Sequence, residues 1–107
     1  GDWLFTLDDH AEILAIARTS GKVRWLTQLS RYHNAKKRKG PIFWVGPVLA
    51  GNKLWIGNSR GELGTVDPGT GVFSKYLDLK DPISLAPVVA NQTLYVLDDS
   101  GLISAYR

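Results

Sequence analysis

Residues 53–67, KLWIGNSRGELGTVD, and residues 93–107, TLYVLDDSGLISAYR, follow one plan. Each opens on a β-rich run, KLWIGN or TLYVLD, passes through a polar turn, SRG or DSG, and continues into a second run, ELGTVD or LISAYR. Gly61 and Gly101 stand where such a hairpin turn needs a positive φ, which only glycine adopts without a steric penalty. Two hairpins of one design, 40 positions apart, point to an internal repeat, and the rest of the chain is read against it.

The same offset places residues 46–67 over 86–107, with Pro47/Pro87, Val48/Val88, Ala50/Ala90, Leu54/Leu94 and Gly61/Gly101 identical. An offset of 50 places residues 1–29 over 51–79 without a gap, with Gly1/Gly51, Leu4/Leu54, Glu12/Glu62, Gly21/Gly71 and Leu29/Leu79 identical. In this first copy WLFTLD and EILAIA form the hairpin, with Ala11 at the glycine position. A turn rich in Gly and Thr (RTSGK, PGTGV) then leads to a third strand, VRWLTQL or FSKYLDL, and a fourth strand is GPVLA or APVVA. No window of 11 or more residues holds a helical apolar period that the repeat does not assign to a strand.

About four strands in about 40 to 50 residues is the unit of a β-propeller blade. The expected fold is therefore all-β, a fragment of about two and a half four-stranded antiparallel blades, with units at about 1–45, 46–85 and 86–107 (partial) in a single segment, 1–107. A propeller has at least about four blades, so open strand edges are expected, through which the fragment would self-associate.

The two offsets differ by ten residues, and the difference has one location, an enlarged connection at 30–45. It contains RYHNAKKRKG, residues 31–40, with Arg31, Lys36, Lys37, Arg38 and Lys39 and no acid. The chain of 107 residues carries a net charge of +3, from 13 Lys and Arg against 10 Asp and Glu; without those five cations the balance is 8 against 10, or −2. The basicity is local. The run reads as a solvated loop on one rim or a protein-contact loop, with nucleic acid or anionic lipid as lesser alternatives. Against nucleic acid, Phe43 and Trp44 lead into the strand GPVLA and are expected to be packed rather than available for stacking; against lipid, the run is short and not amphipathic.

A hydrophobic share of 44% supports one small domain with a core. The absence of cysteine removes disulfides, thiolate metal sites and cysteine catalysis. No apolar run approaches the roughly 20 residues that span a bilayer as a helix. The chain opens on a strand without Met, as expected for a piece of a longer protein. Asp8/Asp9 and Asp98/Asp99 fall at one repeat position, a hairpin turn where Asp accepts backbone hydrogen bonds, and are read as turn chemistry rather than as a Ca²⁺ loop or an acid–base pair. His10 and His33, 23 residues apart, are read as exposed. GNSRGELG is no phosphate loop, because no helix N-terminus follows.

AIARTSGKVRW, residues 15–25, resembles the Ala-x-Asp-x-x-x-Gly-x-x-x-Trp docking signature of PQQ-like propeller repeats: Ala15, Gly21 and Trp25 match, and Ala17 stands for Asp. The second copy keeps Asp67 and Gly71 but has Thr65 and Lys75 in place of Ala and Trp; the third stops at Ala105. The whole chain looks like the C-terminal blades of BamB-type propellers. The resemblance implies that Trp25 packs between blades, and that the intact protein is an eight-bladed, lipid-anchored periplasmic ring at the outer membrane. It also implies a non-catalytic scaffold beside the barrel-inserting subunit of the β-barrel assembly machinery, with no cofactor and no nucleic-acid partner. The alternative is part of a quinoprotein dehydrogenase on the same ring, which needs PQQ, Ca²⁺, carboxylate and amide ligands and an Asp base; no Asp, Glu or Asn here stands in a context that matches that site.

Overall fold

One polar device turns three hairpins. Asp8, Asn58 and Asp98, at a single repeat position, each aim Oδ1 at two backbone N–H groups: those of His10 and Glu12 at 2.9 Å, of Arg60 and Glu62 at 2.9 and 3.0 Å, and of Ser100 and Leu102 at 3.0 and 3.1 Å. The residue three positions on takes a positive φ in every case: Ala11 at 58°, Gly61 at 82° and Gly101 at 89°. Its N–H donates to the carbonyl of the Asx residue that starts the turn. A side-chain acceptor plus one left-handed residue closes a tight antiparallel hairpin with a right-handed twist.

In the computed structural model, residues 2–34, 39–79 and 81–106 are described. All their regular structure is strand: β1 (Trp3–Leu7), β2 (Glu12–Ala17), β3 (Val23–Gln28), β4 (Tyr32–Asn34), β5 (Lys39–Pro41), β6 (Trp44–Ala50), β7 (Lys53–Asn58), β8 (Glu62–Val66), β9 (Phe73–Asp78), β10 (Val88–Ala90), β11 (Thr93–Leu97) and β12 (Ile103–Tyr106). They form three antiparallel blade sheets, ordered β1-β2-β3, β6-β7-β8-β9 and β10-β11-β12, and a two-stranded ladder, β4-β5. The four-stranded sheet shows the complete order. The first sheet lacks its innermost strand and the third its outermost, so β1 and β12 are edges although their counterparts β7 and β8 are central.

The inner hairpins turn on two left-handed residues, Gly51-Asn52 (φ 57° and 62°) and Asn91-Gln92 (51° and 62°), the signature of a type I′ turn. On β6 the pairing skips from Val45↔Gly57 to Val48↔Trp55, so Pro47, which has no N–H, sits in an irregularity of the ladder.

The sheets are stacked side by side in a slab of 42 × 41 × 18 Å, with β6 beside both β1 and β10. No sheet has a private core. Ala11, Ile13 and Leu29 meet Leu54, Ile56 and Val66 between the first and second sheets, flanked by Phe5, Leu7, Trp25 and Trp44. Leu63 and Ile83 meet Leu94 and Val96 between the second and third, flanked by Trp55, Leu77 and Tyr106 among others. Alternation along each strand decides this: Leu54 and Ile56 face back to the preceding sheet, while Trp55 faces forward to the next.

The connections seal one rim. Leu29 N–H donates to Ala11 O at 2.8 Å, and Leu79 repeats the bond to Gly61 O at 2.6 Å. Ile83, fully buried, is tied by its N–H to Asn58 O at 2.9 Å and sits where a side chain on Gly57 would be.

Repeat-equivalent glycines have unequal surroundings. A Cβ on Gly61 would lie 2.2 Å from Leu79 O and 2.8 Å from Asp81 O, whereas one on Gly101 meets nothing within 4 Å. Gly101→Ala is expected to lose about 1 kcal/mol from backbone strain alone, and Gly61→Ala about 3 kcal/mol or more, because the connection must also move. Urea denaturation of the two variants checks this; equal losses would contradict the packing of Leu79 and Asp81 on the turn.

Candidate functional site

Titratable groups come first, because catalysis would need them. Asp8, Asp9 and His10 bring their ligand atoms within 4.8 Å of one another, and are the one group of three or more such residues so placed among the described residues. The cluster is built for the turn. Asp8 Oδ1 accepts two backbone N–H groups, and Asp9 pairs with His10 Nδ1 at 3.1 Å on a side chain left 94% exposed to water. An oxygen already holding two donors and an exposed carboxylate are a poor Ca²⁺ set, which needs 6–8 oxygens. The Asp8–Asp9–His10 cluster does not fit the Ca²⁺ of a quinoprotein.

The Glu12 N–H holds the Asp8 carboxyl below the usual carboxylate range, and the Ser100 hydroxyl, 2.6 Å from Oδ1, does the same for Asp98. Asn58 makes the corresponding bonds without a charge.

Trp25 joins two blades. Its ring stacks on Phe5 with centroids 6.1 Å apart, and Nε1–H donates to Pro68 O of the second sheet's turn at 2.9 Å. Thr27 Oγ1 donates to Gly71 O beside it, and a Cβ on Gly71 (φ 79°) would lie 2.7 Å from the indole. The turn is preset by Asp67, whose Oδ1 accepts the N–H groups of Gly69 at 2.7 Å and Thr70 at 3.0 Å. In the first sheet Ala17 takes the place of Asp67, so its turn has no such side-chain acceptor and keeps the two backbone bonds that both turns make, here Gly21 N–H to Ala17 O (2.8 Å) and Ala17 N–H to Lys22 O (2.9 Å). Gly21 (φ 71°) has nothing within 4 Å of its Cβ position.

Sequence spacing equates Trp25 with Lys75, but the ladders do not. Ala15↔Trp25 in the first sheet corresponds to Thr65↔Ser74 in the second, because the irregularity lies two positions further along the outer strand. Ser74 takes the Trp position, beside a hollow of about 460 Å³ lined also by Thr65 and Lys75. Lys75 points to Asp78 at 3.0 Å and Glu62 at 3.7 Å. Tyr76 carries the aromatic contact instead, edge-on to Trp55 (5.1 Å) and Tyr106 (5.9 Å). A cleft of about 530 Å³ stays open alongside, between Trp55, Lys53, Val89, Leu94 and Tyr106.

The enlarged connection is a small arm rather than a plain loop. Tyr32↔Pro41 and Asn34↔Lys39 pair, and Ile42 N–H returns to Arg31 O at 2.7 Å, anchoring the arm on the rim of the hairpin turns. Arg31 is exposed; Lys39 lies in β5; Lys36, Lys37 and Arg38 lie outside the described residues, as does the side chain of His33. Of the two aromatics after the arm, Trp44 is packed, with Nε1–H on Ser30 O at 2.7 Å and its ring edge-on to Phe73. Phe43 is not: it is 68% exposed, which corrects the expectation that both are packed. Its N–H and C=O pair with the Ser59 side chain and backbone, and the period of two then turns one ring out where the next turns in.

The surfaces that spacing alone did not single out are sheet faces. On the third sheet Val88, Leu102 and Ile103 are exposed, and on the first Leu4. For Leu4 and Ile103 the repeat itself carries the signal, since their counterparts Leu54, Ile13 and Leu63 are core.

No protein-family model and no curated protein sequence matches the chain. Among solved structures, the crystal structure of BamB from Moraxella catarrhalis is similar over 100% of this chain and 30% of that one, with a TM-score of 0.79 and 16% identity. The chain thus spans about a third of that neighbour's length. The likeness shows the fold: an all-β sector of a propeller of the BamB kind.

Two outcomes test the turn and the joint. Depressed carboxyl pKa values mean stability that is full above about pH 4 and is lost as the pH falls through the folded values. Replacing Asp8 and Asp98 by Asn, as at position 58, is expected to flatten this acid limb in urea melts run from pH 7 to pH 2; an unchanged limb would remove the turns as its source. Trp25→Phe keeps the stack but drops the bond to Pro68, an expected loss of about 1 kcal/mol, while Trp25→Ala loses about 3 to 5 kcal/mol. Fluorescence-detected unfolding of the pair checks both.

Proposed function

We propose that the chain is part of a PQQ-like propeller scaffold of the BamB type, which works without catalysis in outer-membrane β-barrel assembly. What carries the reading is the likeness to BamB along the whole chain, at a TM-score of 0.79. The proposed location is periplasmic and outer-membrane-associated, and the proposed partner is the barrel-inserting subunit of the assembly machinery. No cofactor is proposed. Among the described residues no helix is long and apolar enough to cross a membrane.

The physics of such a role is presentation. Stacked sheets tied by Trp25 and the Asx turns hold the rim loops at fixed spacing, so that little entropy is lost when a partner docks on them. The arm at 30–45 is the proposed contact, with Arg31, Lys36, Lys37, Arg38 and Lys39 steering an acidic surface; strand addition at an open edge is a second mode. Five of the ten Asp and Glu are used in turns and ion pairs, at Asp8, Asp67 and Asp98 and in the Glu62–Lys75 and Asp78–Lys75 contacts.

The test is capture of the barrel-inserting subunit from detergent-solubilised outer membranes in moderate salt. Retention by the wild type, with clear loss on replacing Lys36, Lys37, Arg38 and Lys39 by Ser, is expected. Dye-linked alcohol oxidation by the protein after addition of PQQ and Ca²⁺ would overturn the reading in favour of a quinoprotein.

A further inference from the structure

Phe43 stands out of the fold without a reason in the fold. At 68% exposure it is the most exposed large apolar side chain among the described residues. It lies inside the chain rather than on an end sheet, on the rim between the hairpin turns of the first and second sheets. The repeat does not demand an aromatic there. Ser59 N–H donates to Phe43 O at 2.8 Å as Asp99 N–H donates to Pro82 O at 2.8 Å, so Phe43 and Pro82 hold one rim position at successive joints. Pro82 is half-buried beside the turn residues Asp99 and Ser100; Phe43 is exposed beside Ser59 and Arg60. A structural need would recur, but the position changes from a proline beside a carboxylate to a phenylalanine beside a cation.

A hollow of about 190 Å³ opens beside the ring, lined by Asp9, Ala11, Arg31, Pro41, Ile42 and Phe43 itself. It is smaller than the roughly 300 Å³ at which small-molecule pockets begin, and leaves room for a single side chain. The charge around it is one-sided. No Asp or Glu occurs between Glu12 and Glu62, a stretch that holds ten of the 13 Lys and Arg. Arg31 and Arg60, both exposed, flank Phe43 through the root of the arm and through the turn of the second sheet. The nearby acids are engaged: Asp9 with His10 at 3.1 Å, and Glu62 with Asn58 Nδ2 at 2.9 Å, Lys75 at 3.7 Å and Arg60 itself at 3.8 Å. An exposed ring, a hollow the size of one side chain and two arginines have the composition of a protein-binding hot spot. One ring alone, with Trp44 packed on Phe73, makes no platform for stacking successive bases.

We propose that Phe43 anchors an acidic peptide segment of a partner protein: an apolar side chain of the segment enters the hollow against the ring, and carboxylates next to it pair with Arg31 and Arg60. The ring supplies the affinity and the two cations the preference for acids, since exposed ion pairs add little on their own. This deepens the scaffold reading, and rests on that reading only for which protein carries the segment.

A defined probe decides it: the fluorescein-labelled synthetic peptide Glu-Asp-Glu-Phe-Leu-Asp-Glu-Glu, titrated with the whole chain and followed by anisotropy. The wild type is expected to bind it with half-saturation below about 500 μM, within the range of weak association. Phe43→Ser is expected to weaken binding about tenfold or more, and Arg60→Gln about two- to fivefold with a shallower salt dependence. Both side chains are exposed, so circular dichroism and melting temperature should stay near wild type; Phe43→Gln takes the place of the first variant if that one melts early. No binding by the wild type, or binding that the Phe43 variants leave unchanged, overturns the proposal. So does Phe43-dependent binding of phosphatidylglycerol vesicles or of oligo(dT) in place of the peptide. The capture experiment separates the two readings. Retention of the barrel-inserting subunit that Phe43→Ser does not weaken keeps the scaffold and overturns the anchor, whereas peptide binding without such retention keeps the anchor and overturns the scaffold.

Discussion

Ile13, Leu54, Ile56 and Val66 are completely buried because two sheets meet over them. A three- or four-stranded antiparallel sheet can bury only the face it lays on something else, and sheet-on-sheet packing about 10 Å apart is what these strands are patterned for. The turns, the connections and Trp25 serve that contact. Asx turns fix the strand registers, so Leu54 and Ile56 point one way and Trp55 the other. Leu29, Leu79 and Ile83 cap the joints at one rim, and Trp25 on Pro68 and Gly71 locks one of them near the other.

Much of this is legible in the sequence because tight turns have strict chemistry. A left-handed residue three positions after an Asx is nearly forced to be glycine, and Gly61 and Gly101 announce it. Ala11 shows how the rule bends: at φ 58° it carries backbone strain, yet its methyl is buried in the first joint, so a side chain is useful there as it is not at the other two turns. The arm at β4 and β5 is less legible: YHN and KGP have no apolar alternation from which a strand could be read.

The docking position shows where gapless comparison fails. Spacing puts Lys75 under Trp25, and the strands on either side do keep register, with Ile16↔Val23 matched by Val66↔Phe73 and Ile13↔Thr27 by Leu63↔Leu77. Between those fixed points one extra residue must be absorbed, and nothing in the string of letters says at which position. The first sheet absorbs it beside Arg24, which then lies over the ring of Trp3 at 4.8 Å; the second absorbs it at Tyr76. A shift of two positions within the same strand moves an aromatic ring from the turn of the next blade to the Trp55–Tyr106 contact.

That shift makes the two joints chemically unequal while the fold stays periodic. The first is closed by an indole that fills space and satisfies its own N–H, leaving its turn no freedom. At the second, a cleft of about 530 Å³ lies open between Trp55, Leu94 and Tyr106, while Ser74, Lys75 and Tyr76 line a separate hollow of about 460 Å³. Loss of close contact over such a volume weakens the joint relative to a filled one, since cavity formation and lost apolar burial both act against it. In a stack where each sheet is held only by its neighbours, stability is a sum over joints, and the weaker joint opens first. The third sheet rests on that second joint, through Leu94 and Val96 against Leu63 and Ile83.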